Sequence, residues 1–213
     1  MCREFQKNNP HLKIKLFQNK NPGGSPKKAA IETAIRAAAH DFILTTDADC
    51  NLPENWLQEL STRIDQTAAT VVAGPVRIAR TEVSKRGFLD NLLESFQELD
   101  FFSLQAETVG GFGVNIPFMC NGANFCYKKT AFWKVNGFEG NSDIASGDDI
   151  FLLGKFKKAG FKTSFLKSAG AMVTTPPQPN LPALLSQRIR WAAKTPSYKS
   201  FFWKKPSVYS SSL

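Results

Sequence analysis

The stretch Asp41-Phe42-Ile43-Leu44-Thr45-Thr46-Asp47-Ala48-Asp49-Cys50 decides how the rest of the chain is interpreted. An apolar run with β-branched threonines ends here in two carboxylates, and an Ala-rich segment with helical spacing precedes it. This pattern predicts a buried strand of an α/β sheet. Asp47 and Asp49 would then lie on one face at the carboxyl end of the strand, where such sheets bind ligands. Two converging carboxylates suit Mg²⁺ or Mn²⁺ shared with substrate phosphates, whereas the alternative is a polar turn capped by Asp.

The composition is that of an ordinary globular domain. The chain has 213 residues, enough for one sizeable domain, and a net charge of +9 that would suit phosphorylated substrates, nucleic acid or an anionic membrane. It has no run of five or six like charges, which excludes a long basic tail. The four cysteines lack C-x-x-C spacing, so we expect neither a zinc site nor a disulfide framework. We expect reduced thiols in a cytosolic compartment instead. We expect neither a signal peptide nor a membrane-spanning segment in this chain, which should itself be soluble.

Hydrophobic periodicity predicts strands that alternate with helices, and therefore a parallel sheet built from βαβ units. The predicted strands are 11–19, 42–46, 70–78, 125–127 and 162–166. The predicted helices are 1–9, 27–40, 53–64, 85–105, 128–136, 148–160 and 184–194. Segments 110–113 and 174–182 are predicted to be loops, and 210–212 to be disordered. The apolar helix 85–105 either packs in the core or presents a surface to a membrane or to partner helices.

A second acidic pair, Asp148 and Asp149, opens one of these helices. The helix has lysines near its end and a glycine after it, so the two carboxylates could serve only as caps that suit the helix dipole. They could also supply a general base, because a carboxylate within hydrogen-bond reach can take a proton from a hydroxyl.

Three motifs stand in one order along the chain: D-A-D at Asp47, G-D-D at Asp149 and Q-x-x-R-W at Gln187. Together they resemble the family 2 glycosyltransferases, and Q-x-x-R-W resembles the branch with cellulose, chitin and hyaluronan synthases and ceramide glucosyltransferase. Lys27-Lys28-Ala29-Ala30-Ile31 is similar to the family's K-x-x-A-L-N segment, and Phe125-Cys126-Tyr127-Lys128-Lys129 to its F-R-R segment.

The resemblance implies a GT-A-like, Rossmann-like α/β fold with a mixed, mainly parallel sheet flanked by helices. It implies inverting transfer from a nucleoside diphosphate sugar, a UDP-sugar first, to a carbohydrate or lipid hydroxyl, with Mg²⁺ or Mn²⁺. Asp149 would be the base, and Asp47 and Asp49 would bind the metal. The implied donor-binding residues are Asp47, Asp49, Lys27, Gln187, Arg188 and Arg190. The implied acceptor-binding residues are Trp191, Asp148, Asn121 and Gly122.

The chain departs from the family pattern in several places. Glu32 stands where the family has Asn, and Asp148 replaces the Glu of its E-D pair. Strand 11–19 would match the family's third strand, so the N-terminal strands that carry the nucleobase site are expected to be missing, as are the membrane segments after Q-x-x-R-W. We therefore expect a single partial catalytic domain over 1–213, with a nucleotide-sugar part at 1–80, an acceptor-side part at 81–195 and a tail at 196–213. Alone, it would have little or no transferase activity.

Two other functional classes remain open at this point. G-D-D also resembles the motif of RNA-directed polymerase palms, and +9 suits nucleic acid, but a capped helix follows it here, so a nucleic-acid partner is not expected. A non-catalytic module with the same fold, docked to a membrane or partner, would fit the apolar helix and the missing strands. The resemblance places the full-length protein at the cytoplasmic side of the cell membrane.

Overall fold

The computed structural model of the protein describes residues 2–18, 25–80, 87–140 and 147–192. The helices are α1 (Cys2–Asn8), α2 (Pro26–Ala37), α3 (Trp56–Thr67), α4 (Phe88–Gly113), α5 (Lys129–Lys134), α6 (Asp148–Lys158) and α7 (Leu181–Ala192), with 3-10 turns at Gly122–Asn124 and Ala169–Ala171. The strands are β1 (Phe42–Thr45), β2 (Val71–Ala73), β3 (Val76–Ile78), β4 (Phe125–Lys128), β5 (Thr163–Phe165) and β6 (Val173–Thr175).

The main sheet has four strands in the order β1-β4-β2-β5. Strand β4 runs antiparallel to both β1 and β2, and β2 runs parallel to β5. Three of the four strands therefore point the same way, and β4 lies between two of them. Strands β3 and β6 form a separate parallel pair. This mixed, mainly parallel sheet flanked by helices confirms the predicted fold class.

Alternation along the strands divides the core into two layers, one on each face of the sheet. Val71, Ala73, Phe125 and Tyr127 point to a layer rich in aromatic side chains that α2, α5 and α6 cover. Val72 and its cross-strand neighbour Cys126 point to the opposite layer, which α3, β3 and β6 cover. Strand β2 and most of β4 are thus buried on both faces, as the apolar strands predict, whereas β1 at the end of the strand order is only half-buried.

Helix α6 shows why the local sequence forms its helix where it does. Gly147 precedes it with φ of +78°, a left-handed conformation that suits glycine. Asp148 and Asp149 occupy the first turn and lysines the last turn, where each charge is favourable for the helix dipole. Gly160, at φ of +74°, ends the helical region. The predicted start of this helix is confirmed, and its end lies two residues before the predicted end at residue 160.

Several predicted boundaries are wrong. Residues 11–18 form no strand, because in the described residues β1 pairs only with β4 and offers this segment no ladder. The predicted strand 70–78 is two strands, because Pro75 lacks the N–H that a continuous ladder needs and the chain changes partner there. The glycines at 110–113 form the end of α4 rather than a loop, and the predicted loop 174–182 contains the end of β6 and the start of α7. The predicted tail 196–213 lies outside the described residues.

Candidate active site

A cavity of about 480 Å³ opens beside β1, between that strand, α2 and the start of α6. Its floor is apolar and is formed mainly by side chains of α2, β1 and β4, whereas its polar groups lie together at the carboxyl end of β1. The charged residues that line it are Lys27, Asp47, Asp148 and Asp149. These four residues and Gly122, all expected to bind substrate or act in catalysis, are therefore brought together.

The two carboxylates of the D-A-D motif do not lie on one face of a strand. Strand β1 ends at Thr45, and the segment that follows turns, with the Cys50 amide donating to the carbonyl of Asp47 at 3.2 Å. The alternation argument for Asp47 and Asp49 is therefore wrong. Asp47 lines the cavity, whereas Asp49 is exposed and its carboxylate accepts from the Cys50 thiol at 3.8 Å.

Asp149 is held in one orientation by two backbone amides. Its Oδ2 accepts from the Gly122 amide at 2.7 Å, and its Oδ1 accepts from the amide of Ile150 at 2.9 Å. Removal from solvent and the neighbouring charge of Asp148 raise the pKa of the Asp149 carboxyl, although both amides and Lys27 oppose that rise. A carboxylate with a raised pKa is a stronger proton acceptor than an ordinary surface aspartate, as a general base should be.

Lys27 is the cation of the cluster. Its Nζ lies 3.2 Å from Asp47 Oδ1 and 3.8 Å from Asp148 Oδ2, so it bridges the end of β1 and the start of α6. Burial alone would lower the pKa of this ammonium, but the charges of Asp148 and Asp47 outweigh it and raise the pKa. Lys27 is therefore charged at neutral pH, and it is placed to meet a phosphate oxygen that enters the cavity.

The donor set fits a divalent cation held jointly with phosphates. Asp47 and Asp148 both lie within 4 Å of one point, the Lys27 ammonium, so two carboxylates from different elements already converge on a cation. In the described part of the chain, no group of three or more His, Cys, Asp or Glu side chains forms a closed metal site. Mg²⁺ and Mn²⁺ commonly take one or two carboxylates together with substrate phosphates, and the cluster offers that number.

The turn at Asn121 and Gly122 forms the third side of the polar end. The side chain of Asn121 accepts from the Ala123 amide at 2.9 Å, which caps the 3-10 turn, and Gly122 lines the cavity. Thr45 donates its hydroxyl to the Gly122 carbonyl at 2.7 Å and thereby ties this turn to β1. Thr45 was not predicted to belong to the site, although a hydroxyl near the end of the predicted strand 42–46 was the available signal.

Helix α7 does not reach this cavity. Gln187, Arg190 and Trp191 are absent from the cavity lining, and Trp191 packs against the core layer that contains Cys126 and Val173. Arg188, a predicted donor-binding residue, is also absent from the cavity lining, and that assignment stays a prediction. Its guanidinium pairs with Asp100 of α4 and lies over the ring of Trp191, 4.3 Å from the centroid, so it holds α7 to α4.

Comparison with known proteins identifies the family. The model of the family described as "Glycosyltransferase like family 2" matches residues 1–194, which is most of the chain. The chain belongs to this family. Its catalytic-domain fold is therefore that of a glycosyltransferase, and the family 2 domain places its charged cavity at the carboxyl end of β1, where α/β sheets bind ligands.

Two solved structures of TarS 1–349 from S. aureus are similar to this family 2 domain. One covers 83% of this chain and 47% of the TarS chain, with 15% identity and a TM-score of 0.49. The other, a complex with UDP-GlcNAc, covers 86% and 48%, with 14% identity and a TM-score of 0.52. The chain thus spans about half the length of these structures, and the second supports the fold. No curated protein matches.

Proposed function

We propose that the protein transfers a sugar from a nucleoside diphosphate sugar, a UDP-sugar first, to a hydroxyl of a carbohydrate or lipid acceptor, with inversion. The observation that carries this proposal is the convergence of Lys27, Asp47, Asp148 and Asp149 in one cavity of a family 2 domain. TarS, whose fold is similar, has been solved with UDP-GlcNAc, which makes a UDP-sugar the first donor to test.

In this proposal, each charged group of the cavity has a distinct task. Lys27 and Asp47 bind at the diphosphate end, and Asp149 accepts the proton of the acceptor hydroxyl while its oxygen attacks the anomeric carbon. The bond from that carbon to the diphosphate oxygen breaks, and UDP leaves with the electron pair. A single displacement of this kind inverts the anomeric centre, by analogy with inverting hydrolases. Mg²⁺ or Mn²⁺ on Asp47, with Asp49 or Asp148, would neutralise the leaving diphosphate when bound.

The remaining site assignments rest on the Q-x-x-R-W resemblance. Gln187 and Arg190 would contact the diphosphate, and Trp191 would line the acceptor site beside Asp148, Asn121 and Gly122. The same resemblance proposes that the whole protein works at the cytoplasmic side of the cell membrane. These roles require α7 to approach the cavity more closely than it does in this structure.

Calorimetric titration with UDP tests the proposal. We expect UDP to bind in the presence of Mn²⁺ and to bind at least about tenfold more weakly after chelation of the metal. Asp47→Asn should weaken binding similarly, whereas Asp65→Asn, an exposed position on α3, should leave it unchanged.

Metal-dependent binding without turnover by the whole protein would favour the non-catalytic module. Binding of RNA in place of UDP would favour the polymerase alternative, which is already disfavoured because G-D-D opens a helix.

A further inference from the structure

A chain of two hydrogen bonds joins the proposed base to strand β1 through a glycine. The amide of Gly122 donates to Asp149 Oδ2 at 2.7 Å, and the carbonyl of the same residue accepts from the Thr45 hydroxyl at 2.7 Å. Thr45 is the last residue of β1, and Asp149 lies in the first turn of α6. The orientation of the carboxylate is therefore connected to the end of β1.

Gly122 depends on its neighbours for its conformation, because glycine has the widest range of backbone dihedral angles of any residue. The Ala123 amide donates to the Asn121 side chain at 2.9 Å, and the Asn124 amide donates to the Asn121 carbonyl at 3.0 Å. Both of these bonds lie within the turn, whereas the Thr45 hydroxyl attaches the turn to the neighbouring strand. The position of the Gly122 amide relative to β1 thus depends on Thr45.

The absence of a side chain at position 122 leaves room beside the carboxylate. A Cβ added at Gly122 would lie 3.4 Å from Asp149 Oδ2, and both residues line the cavity. A side chain there would compete with an acceptor hydroxyl for the space next to that oxygen. Since this position has no side chain of its own to fix it, backbone hydrogen bonds have to set its orientation.

The Thr45 side chain is suited to hold the turn because it is itself restrained. Threonine is β-branched, which restricts its χ1 angle, and Thr45 is paired with Phe125 across the ladder between β1 and β4. Its hydroxyl also lies 3.2 Å from the Phe125 carbonyl, so it spans the junction between the turn and β4. The donor to Gly122 therefore projects from a fixed point on the sheet.

We propose that Thr45 is a positioning residue, whose hydroxyl holds Gly122 so that the Gly122 amide keeps the Asp149 carboxylate directed at the acceptor hydroxyl. Thr45 takes no part in proton transfer or in donor binding. A base must lie within hydrogen-bond reach of the proton that it accepts, and a displacement of about 1 Å can lower a rate about 100-fold. This inference rests on the proposed function, since it requires Asp149 to be the base.

Three variants separate a positioning role from a purely structural one. Thr45→Val removes the hydroxyl at nearly constant volume, and Thr45→Ser keeps it. The control is Thr67→Val on α3, outside the cavity. Thr67 is also half-buried, donates to the Arg63 carbonyl at 2.6 Å and accepts from the Ala69 amide at 3.3 Å. Both valine variants therefore lose a hydroxyl that has two hydrogen-bond neighbours, but Thr67 lies away from the base.

The first measurement is the release of UDP from a UDP-sugar by the whole protein with an acceptor present. Thr45→Val should lower kcat about tenfold and leave the donor KM and the dissociation constant of UDP within about twofold, because the base is displaced and the diphosphate end is not. Thr45→Ser should restore kcat to within about twofold of the original value. Thr67→Val should keep the original kcat.

The second measurement, amide hydrogen exchange in the 213-residue chain, needs no turnover. The Gly122 amide should exchange at least about tenfold faster in Thr45→Val than in the unmodified chain, because a turn released from β1 opens more often. In Thr45→Ser and in Thr67→Val, this amide should exchange as it does in the unmodified chain.

Three results would overturn the inference. Weaker UDP binding by Thr45→Val would show that Thr45 contacts the donor. Equal losses of kcat in Thr45→Val and Thr67→Val would show a general loss of stability. Unchanged exchange of the Gly122 amide in Thr45→Val would show that the hydroxyl does not hold the turn. If the whole protein releases no UDP, the proposed function fails, whereas the exchange measurement still decides whether Thr45 holds Gly122.

Discussion

The charged cavity and helix α7 contain the two halves of the predicted site, and these two halves lie apart in the structure. The cavity brings together residues from α2, the segment after β1 and the start of α6. Helix α7 carries Q-x-x-R-W but contacts α4 through Arg188 and Asp100, away from that cavity. Residues that follow a strand or open a helix are placed by local rules, whereas the position of α7 depends on contacts between segments about 90 residues apart.

The largest expected effect concerns catalysis by the residues that line the cavity. In the whole protein, Asp149→Asn should lower the rate of sugar transfer about 100-fold or more, because an amide cannot accept the proton of the acceptor hydroxyl. UDP affinity should change little, since Asp149 is proposed to act on the acceptor. The measurement is release of UDP from a UDP-sugar, with UDP titration alongside it. An Asp149→Asn protein that transfers sugar at the original rate would show that the base lies elsewhere.

A second large effect concerns the frame that supports the cavity. Asn124 is fully buried, and its side chain accepts from the indole of Trp56 and donates to the carbonyls of Pro75 and Ala171. Asn124→Ala should lower the free energy of unfolding by about 3 kcal/mol, because these three groups lose their partner. Urea denaturation measures the change.

Asn55→Ala is the control for that experiment. Asn55 precedes α3, but its side chain makes no capping hydrogen bond, so this variant should unfold within about 0.5 kcal/mol of the unmodified chain. Equal losses from Asn124→Ala and Asn55→Ala would mean that the buried network does not support the turn at Gly122.

A smaller effect tests the attachment of α7. Arg188→Met should cost about 1 kcal/mol of stability, because it leaves Asp100 without its partly buried partner, and it should leave UDP affinity unchanged. Arg80→Met, which breaks the more exposed pair with Glu98, should cost less. Loss of UDP binding in the Arg188→Met protein would contradict the separation of α7 from the cavity, since it would show that α7 contributes to the donor site.

The smallest expected effect is a gain of stability when Asp149, the proposed base, is replaced by asparagine. Because the folded protein raises the pKa of Asp149, it binds that proton more tightly than the unfolded chain does, so this group lowers stability as the pH rises through its carboxyl range. Asp149→Asn should therefore raise the melting temperature by about 2 °C at pH 7. The gain should vanish below pH 3.8, the ordinary carboxyl value, where the unmodified residue is protonated in both states. A gain that persisted in acid would point to another cause.

The sequence allowed the helices and the cluster at α6 to be predicted because their signals are local. Capping residues and periodicity define α6, and an apolar strand followed by Asp47 defines one end of the cavity. Strand 11–19 failed because alternation does not supply a pairing partner. Asp49 diverges from Asp47 because β1 ends at Thr45, one residue earlier than predicted, and the chain then turns. The ion pair between Arg188 and Asp100 could not be predicted, because no local pattern in the sequence reveals that partner.

The central claim is that the diphosphate of a nucleotide sugar binds where Lys27 and Asp47 meet. The most direct measurement compares the dissociation constants of UDP, with Mn²⁺ present, for the unmodified chain, Asp47→Asn and Asp65→Asn. The account predicts binding at least about tenfold weaker for Asp47→Asn and unchanged for Asp65→Asn. Equal affinity in all three proteins would contradict it, because the charged cavity would then not be the donor site.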